Sequence, residues 1–344
     1  MKFGVFDHMD RAGGALGAQY QDRLALIEAY DRAGFYAYHV AEHHSTPLGM
    51  APAPSVFLAA IALRTRRLRF GPLVYQLPLH HPLRLMEEIS MLDHLSGGRL
   101  EVGIGRGAVA YEIEYYGVDP RDAQARYLEA YEVLLKAMTS RTLTHTGKYY
   151  AFKDVPIEIT PLQKPHPPLW YGAVSAEGAA WAARNRVNIV CNAPTPLVRS
   201  IIGHYRDAWR KAGNDVADIP LMGMNRYLVL ADTDREATEI ARRAYEHWRR
   251  NFYYLWDKRG GKPPHIAAIY PDTFEEIEQR GYGVAGTPER VRETLMAQVA
   301  EAGNNYMICR FAFGDLSLAE SLRSLALFQQ AVMPALAEMR AAAE

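Results

Sequence analysis

The sequence predicts an α/β protein with a (β/α)8 barrel, a TIM barrel that carries insertions. Short, almost continuously apolar segments alternate with helical patterns along the whole chain, as is typical of parallel strands covered on both faces. There are eight such segments, and eight strand–helix units favour a closed barrel over an open doubly wound sheet. The candidate strands are residues 2–6, 36–41, 68–74, 100–105, 168–173, 187–191, 221–230 and 305–313.

The segments between these strands have helical periodicity and helix-end signals. Apolar residues recur at spacings of three and four in residues 22–34 and 81–98, and glycines follow the last turn of each. A third helix is predicted after Thr287, which suits an N-cap, with Pro288 at the first helical position and Gly303 past the end.

Two segments interrupt the alternation and are predicted to be insertions in a single domain, 1–344. Residues 139–168 contain "TLTHTGKYYAF" and five later prolines, which predict a small hairpin followed by an extended stretch. Residues 257–286 contain adjacent glycines and prolines and no sustained helical pattern. We expect this second segment to form a mobile lid over the barrel mouth.

Composition excludes several classes of function. The 39 basic and 39 acidic side chains balance, which argues against nucleic-acid and membrane-surface binding. No apolar run approaches the roughly eighteen residues of a membrane-spanning helix. The two cysteines, Cys191 and Cys309, lie in apolar segments, so we expect buried thiols and a reducing cytoplasm, not disulfides.

Polar residues follow the strands at the end where barrel enzymes carry their chemistry. Asp7 and His8 follow the first candidate strand, and Glu42, His43 and His44 in "HVAEHHST" follow the second. A metal-dependent hydrolase is one interpretation, but adjacent histidines on an extended chain point to opposite sides, so chelation by both is awkward. We therefore predict no metal site and expect one histidine to act as an acid, base or hydrogen-bond donor.

A glycine-rich stretch follows the fourth candidate strand. Residues Gly103 to Ala108 read G-x-G-x-x-A, but three strand–helix units precede them, whereas a dinucleotide-binding domain would begin here. The glycines are interpreted as permitting close backbone packing, and Arg106 as offering its guanidinium to a phosphate. The alternative is an ion pair between Arg106 and Glu112 or Glu114.

A second anion-binding candidate follows the fifth strand. Ser175 in "VSAEGAAWAA" is a predicted helix N-cap, whose hydroxyl and neighbouring amides suit an anion. An ordinary helix cap is the alternative.

Two further motifs are interpreted as structural. His80 and His81 precede a helix that begins with proline, so they are predicted to form its entry. The aromatic stretch 244–256 is predicted to pack in the core, or else to line an apolar substrate pocket.

These motifs, taken in order, resemble the bacterial luciferase-like flavin monooxygenases over nearly the whole chain. The resemblance is carried by "MKFGVF", "AEHHST", "LPLHHPLRLMEEISMLDHLSGGR", "GIGRG", "PPLWYGAVSAEGAAWAA", "GTPE" and "LALFQQAVMPAL". It implies the barrel fold and the binding of reduced FMN, which a separate flavin reductase supplies. The reduced FMN activates O2 at the flavin C4a position.

The resemblance also implies site residues. His43 is similar to the catalytic histidine of the family, and a cis peptide between non-proline residues is expected at Leu73 and Val74. Gly105 stands where luciferases have a reactive cysteine, and Gly178 where they have a threonine, so light emission is not expected. The positions matched to cofactor-binding residues are Leu73, Val74, Arg106, Ala108, Arg126, Val174, Ser175 and Gly178.

The predicted function is a two-component FMN-dependent monooxygenase acting on a small apolar substrate, most simply as a homodimer. A deazaflavin-dependent hydride-transfer oxidoreductase of the same superfamily is the first alternative. A non-catalytic flavin-binding partner subunit is the second.

Overall fold

The structure is a computed structural model that describes residues 1–339. Residues 340–344, the end of the predicted domain, lie outside the described residues. The strands in the described range are β1 (Lys2–Asp7), β2 (Ala37–Val40), β3 (Arg69–Pro72), β4 (Tyr75–Gln76), β5 (Val102–Gly105), β6 (Thr142–Thr146), β7 (Ala151–Pro156), β8 (Leu169–Gly172), β9 (Asn188–Cys191), β10 (Met222–Leu230), β11 (Gly283–Gly286) and β12 (Tyr306–Arg310).

The main sheet is a barrel whose strands are all parallel. Its order is β3-β2-β1-β12-β10-β9-β8-β5-β4, with β11 paired to β10. A bridge between Phe70 and Leu100 joins β3 to the chain just before β5, so the sheet nearly closes on itself. Strands β3 and β4 together occupy one position of the barrel. With β3 and β4 counted as one, the eight predicted strands correspond to β1, β2, β3 with β4, β5, β8, β9, β10 and β12. The predicted (β/α)8 barrel is confirmed.

Helices cover the outside of this barrel. They begin and end close to the predicted signals: Thr287 accepts from the Arg290 amide at one helix start, and Gly303 follows the same helix with a φ of 68°. The helices are α1 (Leu16–Ala33), α2 (Pro54–Arg64), α3 (Pro82–Leu95), α4 (Ala110–Tyr115), α5 (Ala123–Thr139), α6 (Ala176–Arg184), α7 (Thr195–Lys211), α8 (Asp234–Lys258), α9 (Pro264–Ala267), α10 (Phe274–Gln279), α11 (Pro288–Ala302), α12 (Leu318–Leu327) and α13 (Met333–Glu338). Among residues 1–339 no helix is both long enough and apolar enough to cross a membrane.

The barrel interior is filled by side chains. Phe6, Trp170, Tyr306 and Ile308 pack there in one buried apolar cluster. Strands approach so closely that a Cβ on Gly4 would lie 1.6 Å from the Tyr306 hydroxyl oxygen. Since no open channel crosses such a core, a ligand must bind at its mouth.

The two interrupting segments differ in outcome. Strands β6 and β7 form the antiparallel hairpin predicted within residues 139–168. Residues 257–286 contain the end of α8, the short helices α9 and α10, and β11, a strand that is not among the eight predicted ones. Tyr270, Phe274 and Ile277 are buried there. Helices of four to six residues are too short to show periodicity in the sequence, so only these buried contacts reveal them.

Candidate active site

His43 lies in the loop after β2, at the barrel mouth. The loop folds back tightly, since a Cβ on Gly49 would lie 2.7 Å from the His43 Cβ. The Nδ1 of His43 is 3.0 Å from Oε1 of Glu112 on α4, whose side chain is 1% exposed against 15% for His43. Because a carboxylate only accepts, Nδ1 is assigned the proton. The His43 Nε2 has no partner within residues 1–339 and is left to meet a ligand.

Glu42, one residue earlier, is the centre of a buried hydrogen-bond network. Its carboxylate accepts from His44 Nε2 at 2.7 Å, from His80 Nε2 at 2.9 Å and from the backbone N–H of Gln76 at 2.9 Å. Burial would raise the pKa of Glu42, but the hydrogen bonds from His44 and His80 outweigh it and lower this pKa to about 2. Glu42 is therefore a fixed negative charge beneath the mouth.

Gln76 connects this network to His43. Its Nε2 donates to the Glu42 carbonyl oxygen and to Glu112 Oε2, both at 2.9 Å. His43 and His44 therefore bond to different carboxylates. Within the described residues no group of three His, Cys, Asp or Glu side chains is placed to hold a metal.

His80 and His81 lie at the entry to α3, as the sequence predicts, and His80 in addition bonds to Glu42. His81 directly precedes α3, and His80 donates to Glu42 at 2.9 and 3.0 Å. Burial would lower the pKa of His80, whereas the Glu42 carboxylate raises it above its ordinary value. No local pattern signals this contact, because it joins residues 38 positions apart.

His8, after β1, is the second histidine at the mouth. Its ring centroid lies 5.6 Å from that of His43, and its Nδ1 accepts from Trp248 Nε1 at 3.2 Å. Burial, then the charges of Arg310 and His43, lower the pKa of His8 well below the ordinary value. Since indole only donates, a neutral His8 carries its proton on Nε2. The mouth thus holds an imidazole donor. Arg310 was not predicted as a site residue, whereas Trp248 lies in the aromatic stretch 244–256, for which core packing and an apolar substrate pocket were the two alternatives.

Asp7, grouped with His8 by sequence position, does not belong to the mouth. Its carboxylate accepts from Arg23 Nε at 2.9 Å and from the Tyr38 hydroxyl at 2.8 Å, both in the core. Successive strand residues face opposite sides of the sheet, so Asp7 points to the helix layer.

The predicted non-proline cis peptide is present between Leu73 and Val74, where β3 is interrupted. The glycines of β5 permit the close packing beside it. A Cβ on Gly103 would lie 2.3 Å from the Pro72 carbonyl oxygen, and one on Gly105 would lie 2.4 Å from the Val74 Cγ2. The interpretation of these glycines as backbone-packing residues fits this geometry.

Arg106 directly follows β5 and its side chain is exposed. Its Nε donates to the Gly107 carbonyl oxygen at 3.2 Å, and the guanidinium forms no ion pair within residues 1–339. The alternative pairing with Glu112 is not found, because Glu112 bonds to His43 and Gln76. Ala108 is exposed two residues further on, just before α4.

Ser175 is the N-cap of α6, as predicted. Its hydroxyl accepts from the Gly178 amide at 3.1 Å, and Val174 before it is 78% exposed. Strands β5 and β8 pair with Ile104 opposite Tyr171, so the loops carrying Arg106 and Ser175 leave adjacent strand ends.

Arg126 lies near the start of α5, the helix next to α6. Its guanidinium carbon is 5.0 Å from the Tyr149 ring centroid, and its Nε is buried without a hydrogen-bond partner. Tyr131 of α5 packs against Trp181 of α6 at 5.6 Å between centroids. Both helices begin at the mouth end of the barrel, so Arg126 is on the same side as Ser175.

Comparisons with known proteins identify the family of this chain. The model of the luciferase-like monooxygenase family matches residues 1–305. An uncharacterized protein of Sinorhizobium fredii, y4wF, is 44% identical over 97% of this chain and 96% of its own length. The oxygenase component of a flavin-dependent trigonelline monooxygenase from Acinetobacter baylyi is 28% identical over 99% of this chain and 97% of its own.

Solved structures share the fold. The monooxygenase RslO1 from Streptomyces bottropensis has a TM-score of 0.85 and 26% identity, covering 97% of this chain and 99% of its own. The oxygenating constituent of 3,6-diketocamphane monooxygenase from Pseudomonas putida, in complex with FMN, has a TM-score of 0.82 at 22% identity, covering 97% and 98%. The coenzyme F420 dependent tetrahydromethanopterin reductase of Methanopyrus kandleri has a TM-score of 0.71 at 17% identity, also covering 97% and 98%.

At these identities the last two structures support the fold alone. The whole-chain family match confirms both the resemblance seen in the sequence and the prediction of an oxidoreductase. This chain belongs to the family of luciferase-like monooxygenases.

Proposed function

We propose that this protein is the oxygenase component of a two-component, FMN-dependent monooxygenase. The observation that carries the proposal is the pair of adjacent strand ends after β5 and β8. One carries Arg106, which forms no ion pair within residues 1–339, and the other carries Ser175, the N-cap of α6. A relative that is the oxygenase component of a flavin-dependent monooxygenase supports a flavin cofactor, and FMN is proposed because a protein of the same fold is in complex with it.

The residues at these strand ends fit a phosphate-bearing flavin. Arg106 has no carboxylate partner in the described chain, and the buried Nε of Arg126 has no acceptor. A phosphate would supply acceptor oxygens for guanidinium groups and helix amides. Leu73, Val74, Ala108, Val174 and Gly178 would complete the cofactor site, as the family resemblance implies.

When bound, reduced FMN would supply the electrons that activate O2. The chain's own part is to hold protons and exclude water. Glu112 keeps the His43 proton on Nδ1, so a neutral His43 presents Nε2 as an acceptor and a protonated one presents it as an acid. Neutral His8 presents a donor 5.6 Å away between ring centroids. We propose His43 as the catalytic acid or base.

Aromatic side chains of α8 and the 257–286 segment form the apolar side of the mouth. Trp248 stacks on Phe252 at 5.2 Å between centroids and meets Tyr270 edge-on at 4.8 Å. Such a wall suits a substrate with an apolar body and keeps water from the reacting atoms. The aromatic stretch 244–256 would then serve both packing and substrate binding.

The remaining proposals concern partners and compartment. Relatives that are oxygenase components imply a separate flavin reductase. A homodimer is supported by the apolar side chains exposed on α2 and α3, among them Val56 at 74% and Met91 at 55%. A reducing cytoplasm is supported by Cys191 and Cys309, which are both buried free thiols.

The test is a thermodynamic cycle with two ligands. FMN carries the phosphate and riboflavin lacks it, so the wild-type chain should prefer FMN by at least about tenfold, or about 1.4 kcal/mol. Arg106→Ala should remove most of this preference and leave riboflavin binding nearly unchanged. Dissociation constants follow from quenching of flavin fluorescence.

The matched control is Arg121→Ala, because Arg121 is an exposed arginine already paired with Asp119 at 2.6 Å. It should leave both constants unchanged. Equal losses for FMN and riboflavin in Arg106→Ala would refute the phosphate role. Tight binding of the deazaflavin coenzyme with weak binding of FMN would replace the proposal by deazaflavin-dependent hydride transfer, which the fold of one structural neighbour permits.

A further inference from the structure

Arg310 is a buried cation at the end of β12 that has spare hydrogen-bond donors. The residue is 3% exposed. Its Nε donates to Asn225 Oδ1 at 3.1 Å and its Nη1 donates to the Tyr227 hydroxyl at 2.6 Å. Arginine has five N–H donors, and Nη2 has no partner within residues 1–339.

No acidic side chain within the described residues forms an ion pair with Arg310, although burying a charge without a counter-charge is costly. Its guanidinium carbon instead lies between two rings, 4.6 Å from the Phe6 centroid and 4.4 Å from the Tyr227 centroid. Ring faces offset only part of that cost. The arrangement holds the guanidinium plane in place and leaves its charge for another group.

Arg226, on the neighbouring strand β10, shows what a structural buried arginine looks like in the same barrel. Its Nε donates to Gln298, its Nη1 to two carbonyl oxygens and its Nη2 to Thr195. All three of its nitrogens are therefore engaged by the protein. Arg310 differs in keeping Nη2 free.

Arg310 is also close to the two histidines of the mouth, His8 and His43. Phe6 contacts the Arg310 guanidinium on one side and the His8 ring on the other, at 4.9 Å between centroids. His8 in turn lies 5.6 Å from His43. Since Arg310 is the last residue of its strand, it lies at the mouth end of the barrel, as do both histidines.

We propose that Arg310 binds a carboxylate of the substrate, so that the enzyme acts on an organic acid with an apolar body. This inference rests on the proposed monooxygenase function, whose substrate site it describes. The Arg310 guanidinium donates to the carboxylate, and the Nε2 of neutral His8 donates beside it. The apolar body packs on Phe6 and on the aromatic side chains around Trp248. The carboxylate thereby supplies the missing counter-charge.

The experiment compares acids with their uncharged amides. Benzoate, phenylacetate, cinnamate and decanoate, each paired with its primary amide, are titrated calorimetrically into wild-type protein, Arg310→Met, Arg310→Lys and the control Arg226→Met. In the wild type at least one acid should bind tenfold more tightly than its amide. Arg310→Met should bring that ratio close to one, while Arg310→Lys should retain part of it and Arg226→Met all of it.

FMN affinity, measured separately, should stay within twofold in Arg310→Met. A wild type in which no acid outbinds its amide overturns the inference, as does Arg310→Met with an unchanged ratio. A parallel loss of FMN affinity would assign Arg310 to the cofactor and also overturns it. If Arg310→Met does not fold, the inference is tested by the acid-to-amide affinity ratio of the wild type and by the partial retention of that ratio in Arg310→Lys. An acid preference in a chain that binds no FMN would refute the proposed function and leave the carboxylate site standing.

Discussion

The Nδ1 of His43 and the Oε1 of Glu112 are 3.0 Å apart, although the two residues are separated by 69 positions in the chain. The contact fixes both the ring orientation and the tautomer of His43. A carboxylate that orients an imidazole in this way is a common arrangement for a histidine that transfers protons. Substitutions can therefore test two proposed roles separately: His43 meets the reacting atoms, and Glu112 positions the His43 ring.

His43→Ala should leave the fold and FMN binding largely intact but uncouple oxygen use from product formation. A loss of about a hundredfold in coupled turnover, about 2.7 kcal/mol, is the expected scale for a positioned acid or base. Hydrogen peroxide release per reduced flavin consumed measures the uncoupling. Unchanged coupling would remove His43 from the mechanism.

Glu112→Gln should lower kcat without changing KM for the substrate or the dissociation constant of FMN. The amide oxygen can still accept from His43 Nδ1 but carries no negative charge to stabilise a protonated His43, so roughly a tenfold loss is expected. Glu114→Gln is the control, since Glu114 is exposed on the same helix. If both variants behave alike, the His43–Glu112 contact has no role in turnover.

Asp10→Asn should stabilise the protein, and more so at alkaline pH. Burial raises the pKa of Asp10 to about 7, against the opposing effect of the Asn251 hydrogen bond. An acid with a raised folded-state pKa contributes stability at low pH that is lost as pH rises through the folded value. The stability gain of Asp10→Asn should therefore grow by about 2 kcal/mol between about pH 5.5 and about pH 8.5.

Chemical denaturation at the two pH values measures that difference, with exposed Asp22→Asn as the reference. The near-isosteric amide keeps an oxygen for the Gly314 and Asn251 donors that now meet Asp10 Oδ2. A gain independent of pH would show that Asp10 is already charged in the folded protein at about pH 5.5, so that its pKa is not raised.

Limited proteolysis should cut first within residues 257–265, where most side chains are exposed, before the buried contacts of Tyr270 and Phe274 begin. FMN or substrate should slow this cleavage if the segment closes over the mouth. Arg259, which stacks on Tyr111 and Tyr115 of α4, is the contact that would hold it closed. Faster cutting at another site, insensitive to ligand, would contradict a lid here.

The sequence predicts what is local. Strand positions, the Thr287 and Ser175 caps, and the polar ends of strands follow from composition and spacing within a few residues. The Leu73–Val74 cis peptide was expected from family resemblance alone.

What the sequence could not provide are contacts that exist only because the barrel closes. Trp248 reaches His8 across 240 positions, and Arg310 reaches Asn225 across 85. No periodicity links such pairs, so the proposed substrate side of the site emerged only from the structure. The short helices of the 257–286 segment were missed for the related reason that their stability comes from burial.

The 2.4 Å separation between a Cβ built on Gly105 and the Val74 Cγ2 makes the volumes of these two positions interdependent. A family member with a larger residue at the first position must have a smaller one at the second, so the two sites should covary in size across distant relatives. For this chain, Gly105→Ala alone should be poorly tolerated, and adding Val74→Ala should restore it. A larger side chain at position 105, a thiol included, would thus first require a smaller one at position 74.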